Sequence, residues 1–314
     1  LIAGNEFDNN GVLLYPDGQP RFRLIYVNGG GATAHGKTLE LAGRKVLRQF
    51  YNNGGSYSGS CAGSFLSGRN TNTNSMRRLG YLHIFPYNTL TSGIKKTRLG
   101  HVIPHESPLL KYDDFGGDYY VPDIYHNNGN WLSQDLLNKM KHVEVLATYD
   151  LPKNKVHEGA AIWAYKRDKA TGRIVNIGSH PESSTSGEKL QITEACFRYA
   201  IDGVGTPVLK GKLKPNEERY MNKRTSDNDP NYTRIGDLQY HHFSFEIAES
   251  NTNIRVELQG EERIDFSIYL KKGAPAFNSN ADHAATGPGN NKNITRQLTP
   301  GKWFVGVECK TTVK

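Results

Sequence analysis

Cysteine is scarce, with three in 314 residues. Cys61, Cys196 and Cys309 match no metal-ligand spacing and are too few for a disulfide framework, so at least one is unpaired. Methionine and tryptophan number three each. No run approaches the ~18 apolar residues that a membrane span requires. No signal-peptide pattern opens the chain, and Leu1 is not a natural start, so a presequence is expected to precede it. Nucleic-acid signatures are also absent. The net charge of +8 comes from Lys and Arg spread along the chain, densest at Lys95–Arg98 and Lys210–Lys214, without the aromatic interleaving of a base-stacking platform. A solvated basic face is the expectation, with no nucleic acid as partner.

What the chain does have is glycine, 33 residues of it, and enough length for two domains that each bury a core. The most informative stretch is Gly59-Ser-Cys61-Ala-Gly63, a cysteine flanked by small residues where a short strand should turn into a helix. Glycines on either side clear space for a tight turn and for an approaching substrate. Ahead of it, Arg21 to Val27 is a β-branched and aromatic run ending in Asn28-Gly29-Gly30-Gly31. This reads as a parallel strand and a loop whose N–H groups can face an oxyanion. Apolar residues at helical spacing from Lys37 to Tyr51 follow, stopped by Asn52-Asn53-Gly54.

Residues 69–130 read as long polar loops with short apolar runs. They hold His83, His101, His105 and His126 beside Asp113, Asp114, Asp118 and Asp123. That set could be imagined as a metal site, but its spacing matches no ligand motif, so solvated loop residues and no metal are expected. Val143 to Tyr149 reads as a strand. Gly159 to Tyr165 and Gly172 to Gly178 form a hairpin across Asp168–Gly172. The second arm delivers Ser179-His180-Pro181-Glu182 to the strand ends where ligands collect in open α/β sheets. Thr185-x-x-Glu188 is expected to cap a helix over Leu190 to Ile201.

Together these motifs resemble the class I glutamine amidotransferase-like superfamily over about residues 10–203, in the branch typified by the N-terminal domain of biotin–protein ligase-like proteins. The resemblance implies an α/β, flavodoxin-like, mostly parallel sheet with a nucleophile elbow. By position it implies Cys61 as nucleophile, His180 as base and Glu182 as the carboxylate orienting the imidazole. Ala62 and Gly30 or Gly31 would supply the oxyanion N–H groups. A free thiol is only a few per cent thiolate at neutral pH, and a neighbouring imidazolium corrects that. The family fold begins with a further strand and helix, for which the residues before Arg21 leave no room, so that unit is expected to be missing. The polar run Ser56 to Ser60 departs from the apolar run usual in a central parallel strand, and its hydroxyls must find partners. Cys196, with Ile192 and Tyr199 at core spacing, reads as a buried thiol; Cys309 reads as structural.

After residue 203 the pattern changes to a Lys-, Asn- and Pro-rich linker and then to short alternating strands: Phe243 to Ile247, Ile254 to Leu258, Ile264 to Leu270 and Trp303 to Val307. This is the pattern of a β-sandwich. Leu258-Gln-Gly260, Asp265 to Leu270 and Pro300 to Val305 resemble the bacterial pre-peptidase C-terminal domain over 204–314. The resemblance implies a secreted hydrolase that cleaves a peptide or small amide without a cofactor, with surface or glycan contact through the second domain. The rival expectation is a binding or scaffold protein that keeps the fold without catalysis.

Overall fold

The structure is a computed structural model that describes residues 12–15, 18–69, 80–223, 225, 235–236 and 238–311. It divides into two compact units. One comprises the chain up to Leu14 with Phe22–Gly205, and the other Tyr15–Arg21 with the chain from Thr206 onward.

The first unit is α/β. Its strands are β1 (Leu24–Val27), β2 (Ser56–Ser60), β3 (Leu90–Thr91), β4 (Thr97–Val102), β5 (Tyr120–His126), β6 (Asn130–Trp131), β7 (Val143–Asp150), β8 (Ala160–Tyr165) and β9 (Ile174–Ile177). Seven of them form one sheet in the order β1-β2-β9-β8-β7-β4-β5, while β3 and β6 pair separately. β1, β2 and β9 lie parallel, and every later neighbour is antiparallel. Following those pairings, five of the seven strands run one way. The sheet is therefore mostly parallel in direction, with β8 and β4 reversed.

Helices cover both faces. α2 (Glu40–Asn52) buries Val46, Leu47, Phe50 and Tyr51, and α3 (Ala62–Ser67) buries Leu66. Leu47, Tyr51 and Leu66 pack with Trp163, Tyr165 and Ile174. The alternate residues Ile162, Ala164, Val175 and Ile177 pack on the other side against Ile192, Ala195, Cys196 and Tyr199 of α5 (Glu188–Asp202). β8 and β9 are buried throughout, β8 as a continuous apolar run and β9 with Asn176 as its one polar residue, whose Oδ1 accepts from Ser67 Oγ at 2.9 Å. Each large apolar side chain so enclosed stabilises the unit by ~1.5–3 kcal/mol. The hairpin turn between them is set by Asp168, whose Oδ1 accepts from the N–H groups of Ala170 and Thr171, both at 2.9 Å.

Several expectations need correction. The helix expected over 37–51 is two: α1 (Ala32–Thr38) and α2, broken where Glu40 takes φ 52°. The Thr185–Glu188 capping box is not formed. Glu188 is already the first helical residue, and Gly187, with φ 71° and no side chain to offer, is the cap. The region 69–130 is not only loops, for β4 and β5 within it are strands of the main sheet. A short helix, α4 (Gln134–Leu137), capped by Ser133, follows β6.

The second unit is antiparallel β. β10 (Tyr240–Ile247), β15 (Gly301–Cys309), β12 (Phe266–Lys272) and β13 (His283–Ala285) form one sheet in that order, and β11 (Thr252–Leu258) pairs with β14 (Lys292–Leu298). Phe243, Ile268, Leu270, Trp303 and Val305 of the first sheet share an apolar cluster with Ile294, Leu298, Ile254 and Val256 of the second. Alternation along each strand supplies that face.

Candidate functional site

Cys61 stands between β2 and α3 with φ 44° and ψ −103°. A non-glycine residue held there costs roughly 1–3 kcal/mol, which its surroundings must over-determine. Its N–H donates to the carbonyl of Ile177 at 2.8 Å, and its own carbonyl accepts from Phe65 at 3.0 Å. The flanking glycines are needed by the chain itself. A Cβ on Gly63 would lie 1.9 Å from the carbonyl oxygen of Val27, and one on Gly59 would lie 2.4 Å from the carbonyl carbon of Gly63. β1, β2 and α3 are thereby drawn close around the turn.

β9 leads into His180 through Gly178 and Ser179. The N–H of His180 donates to the carbonyl of Tyr125 at 2.8 Å, which fixes its backbone at the end of β5. A 3₁₀ turn over Pro181–Ser183 then returns Glu182, whose Oε1 lies 3.0 Å from His180 Nδ1. The same oxygen accepts from Ser60 Oγ at 2.7 Å. With its proton given to Glu182, Ser60 accepts from the Tyr26 hydroxyl at 2.8 Å. The polar strand β2 thus finds its partners at Ser60, and at Ser56, whose Oγ accepts from the N–H of Arg173 at 3.0 Å. Ser58 Oγ has none among the described residues.

These contacts set the charges. His180 is pushed up to about 9, first by its hydrogen bond with Cys61 and then by Glu182, against the opposing effect of burial. At Glu182 burial disfavours the anion, yet hydrogen bonds from His180 and Ser60 prevail and hold the carboxyl below its ordinary value. His180 is therefore held between the Cys61 sulfur and the Glu182 carboxyl, and both favour its protonated form. The Cys61 sulfur also lies 3.8 Å from the carbonyl oxygen of Asn127.

A second histidine behaves in the opposite way. His126 is fully buried at the end of β5, with Nε2 2.7 Å from Ser92 Oγ and Nδ1 2.9 Å from Ser179 Oγ. Burial and the nearby His180 charge push it down to about 4. His101, equally buried, is lowered to about 3 by burial and then by His126. The expectation of solvated loop residues is wrong for these two. They sit at inward positions of β4 and β5, whereas His83, His105, Asp114, Asp118 and Asp123 are exposed and Asp113 is half-buried. No group of three or more His, Cys, Asp or Glu among the described residues could hold a metal.

Cys61, His180 and Glu182 are brought together, and Ala62 opens α3 directly after Cys61. Gly31 caps α1, and Gly30 has φ 138°. Both leave β1 at the end where Cys61 leaves β2, since Val27 is registered with Gly59. The glycine in direct contact with the imidazole is Gly29, where a Cβ would stand 2.2 Å from His180 Cε1. Sequence reasoning gave no role to Ser60, Tyr26 or Asn127 and named Gly29 only as part of its glycine loop. The unusual polarity of Ser56–Ser60 was the one signal that pointed toward Ser60. Cys196 and Cys309 are buried, and no two of the three cysteines are bonded.

No protein-family model and no curated protein matches the chain. Among solved structures it is similar to a glutamine amidotransferase, at 15% identity over 57% of this chain and 79% of that one, with a TM-score of 0.41. It is also similar to a ThuA-like protein from Bacteroides uniformis, at 13% identity over 58% of this chain and 92% of that one, with a TM-score of 0.36. A pre-peptidase C-terminal domain of a collagenase from Bacillus anthracis matches 24% of this chain and 68% of its own length, at 20% identity and a TM-score of 0.21. These are distant, partial likenesses, and they assign no role to any residue here.

Proposed function

We propose that the chain is a cysteine hydrolase of the glutamine amidotransferase-like type, which cleaves an amide or peptide bond through Cys61, His180 and Glu182. The carrying observation is the placement of the His180 ring between the Cys61 side chain and Glu182, whose Oε1 lies 3.0 Å from His180 Nδ1. In this reading the strained turn at Cys61 is a nucleophile elbow.

The sulfur, its proton given to His180, attacks the carbonyl carbon and forms a tetrahedral oxyanion. The N–H of Ala62 and one from Gly30 or Gly31 receive that oxygen's charge. Collapse breaks the C–N bond, and the leaving amine takes the proton from His180, leaving a thioester on Cys61. Water then gives a proton to His180 and attacks the thioester, releasing the acid and restoring the sulfur–imidazolium pair. Glu182 holds the ring in place throughout and offsets its positive charge.

The resemblance of the second unit to modules appended to secreted hydrolases supports an extracytoplasmic setting, with that unit as an attachment module. Among the described residues no helix is long and apolar enough to cross a membrane. The test is hydrolysis of a panel of fluorogenic peptide amides by the wild-type chain and by Cys61→Ala. Turnover in the wild type that vanishes in the variant is expected, and turnover that survives the substitution ends the proposal.

A further inference from the structure

The two densest basic runs of the sequence meet different fates. In the second unit Lys210 is buried with its ammonium 4.6 Å from the centre of the Tyr15 ring, and Lys214 pairs with Glu217 at 3.1 Å. Lys95 and Lys96 in the first unit are exposed and make no ion pair among the described residues. An unpaired pair of ammonium groups is unremarkable on an open surface; its position here is what matters.

The run 94–98 is bonded along its length to the segment that borders the Cys61 sulfur. Asn127, whose carbonyl oxygen is 3.8 Å from that sulfur, accepts through its side-chain oxygen from the N–H of Lys96 at 3.4 Å. Asn128 donates to the carbonyl of Ile94 at 2.5 Å. Thr97 and Arg98 are registered with His126 and Tyr125, and Tyr125 is the residue whose carbonyl anchors His180. One short segment, 125–128, therefore touches Cys61 and His180 and is also bonded to the basic run.

Among the described residues none of the other charges of this neighbourhood forms an ion pair with the two lysines. Arg98 spends its guanidinium on the backbone carbonyl of Asp123 at 3.1 Å. Asp123 is the exposed carboxylate of the β4–β5 pair, and Glu182 is committed to His180 and Ser60. Lysine is a compact, hydrated point charge on a flexible stem, suited to attracting an anionic group without fixing its geometry.

We propose that the site takes amides or peptides carrying a negative charge close to the scissile bond, such as an acidic side chain or a terminal carboxylate, and that Lys95 and Lys96 receive that charge. This rests on the reading of Cys61 as nucleophile and adds the substrate's chemical class to it.

The test compares two alkylating probes at Cys61, neutral iodoacetamide and anionic iodoacetate, with labelling at the Cys61 peptide followed by mass spectrometry. Both reagents consume the same sulfur, so the ratio of their rates cancels its intrinsic reactivity and reports local potential. In the wild type at low salt the iodoacetate to iodoacetamide ratio is expected to exceed that of N-acetylcysteine amide. In Lys95→Gln/Lys96→Gln it should fall about fivefold, the size expected of two surface charges within a Debye length, while the iodoacetamide rate stays within about twofold. Raising the salt to about 0.5 M should shrink the wild-type ratio toward that of the variant. Rapid iodoacetamide labelling with a ratio that ignores both lysines overturns the acidic-substrate proposal and leaves the hydrolase reading standing. Iodoacetamide labelling no faster than that of the small thiol removes the nucleophile itself, and both proposals fall.

Discussion

The end of β2 and the middle of α5 each hold a buried cysteine, and the two differ in nearly everything except exposure. Cys61 is 7% exposed and Cys196 is 0% exposed. Cys196 sits inside a regular helix among Ile192, Ala195 and Tyr199, and burial alone pushes its thiol far up. Cys61 stands on a strained turn beside His180, which is pushed up to about 9 first by its hydrogen bond with Cys61 and then by Glu182. The comparison teaches that burial does not decide what a thiol does. In a low-dielectric interior an unaccompanied thiol stays neutral and acts as a small apolar group, whereas one beside an imidazole has a polar partner within reach.

The sharpest way to break this comparison is to delete each sulfur. Cys61→Ala should abolish hydrolysis of fluorogenic peptide amides while leaving the melting temperature nearly unchanged. Cys196→Ala should do the reverse, keeping turnover while losing ~1–3 kcal/mol of stability in urea titration. If both variants lose activity in proportion to stability, the distinction disappears.

Next in size is His180→Gln, which removes the proton carrier. Turnover should drop roughly 10²–10⁴-fold, and labelling of Cys196 in denatured protein serves as the internal reference. In the wild type, hydrolysis should decline as pH rises through about 9, since His180 loses the proton that the leaving amine requires. The stability effect has the same sign. His180 is raised above the ~6.5 of an unfolded histidine, so the charged form stabilises the fold fully below about 6.5, and that contribution is lost as pH rises through about 9.

Gly29→Ala tests position without touching chemistry. The new methyl would meet His180 Cε1 at 2.2 Å and must displace the ring. A displacement of this kind should lower turnover by about 10²-fold, with circular dichroism unchanged. The smallest effect belongs to Ser60→Ala, which removes one of the two side-chain hydrogen bonds that hold the Glu182 carboxyl down. The acid limb of the rate profile should move up by about one pH unit, with the rate at pH 8 nearly preserved. A profile that does not move would leave Ser60 with packing alone.

Much of this was legible before the structure. Glycines around Cys61, the Gly29–Gly31 run after a strand and the His180-Pro-Glu182 run after a hairpin are local patterns, and local patterns survive in a sequence. Trp163 and Ile177 announce a buried hairpin through apolar runs broken only at Asn176. The hidden parts depend on contacts across the chain. Ser60 and Glu182 are 122 positions apart, and nothing near either residue announces the other. β4 and β5 were obscured because Arg98, His101, Asp123 and His126 break the apolar pattern. His101 and His126 are buried polar groups tolerated because they stay neutral, held there by desolvation. Glu188 looked like the third residue of a capped helix and proved to be the first, because a glycine with positive φ can end the preceding loop without a side-chain bond.

The central claim is that His180 arms Cys61, and the rate of iodoacetamide labelling at Cys61 between pH 6 and 7 tests it most directly. Labelling faster than that of a small free thiol at the same pH, and slowed at least tenfold by His180→Gln, is the predicted result. Labelling equal to or slower than the free thiol, or indifferent to the loss of His180, would contradict the account and leave Cys61 as a second buried thiol like Cys196.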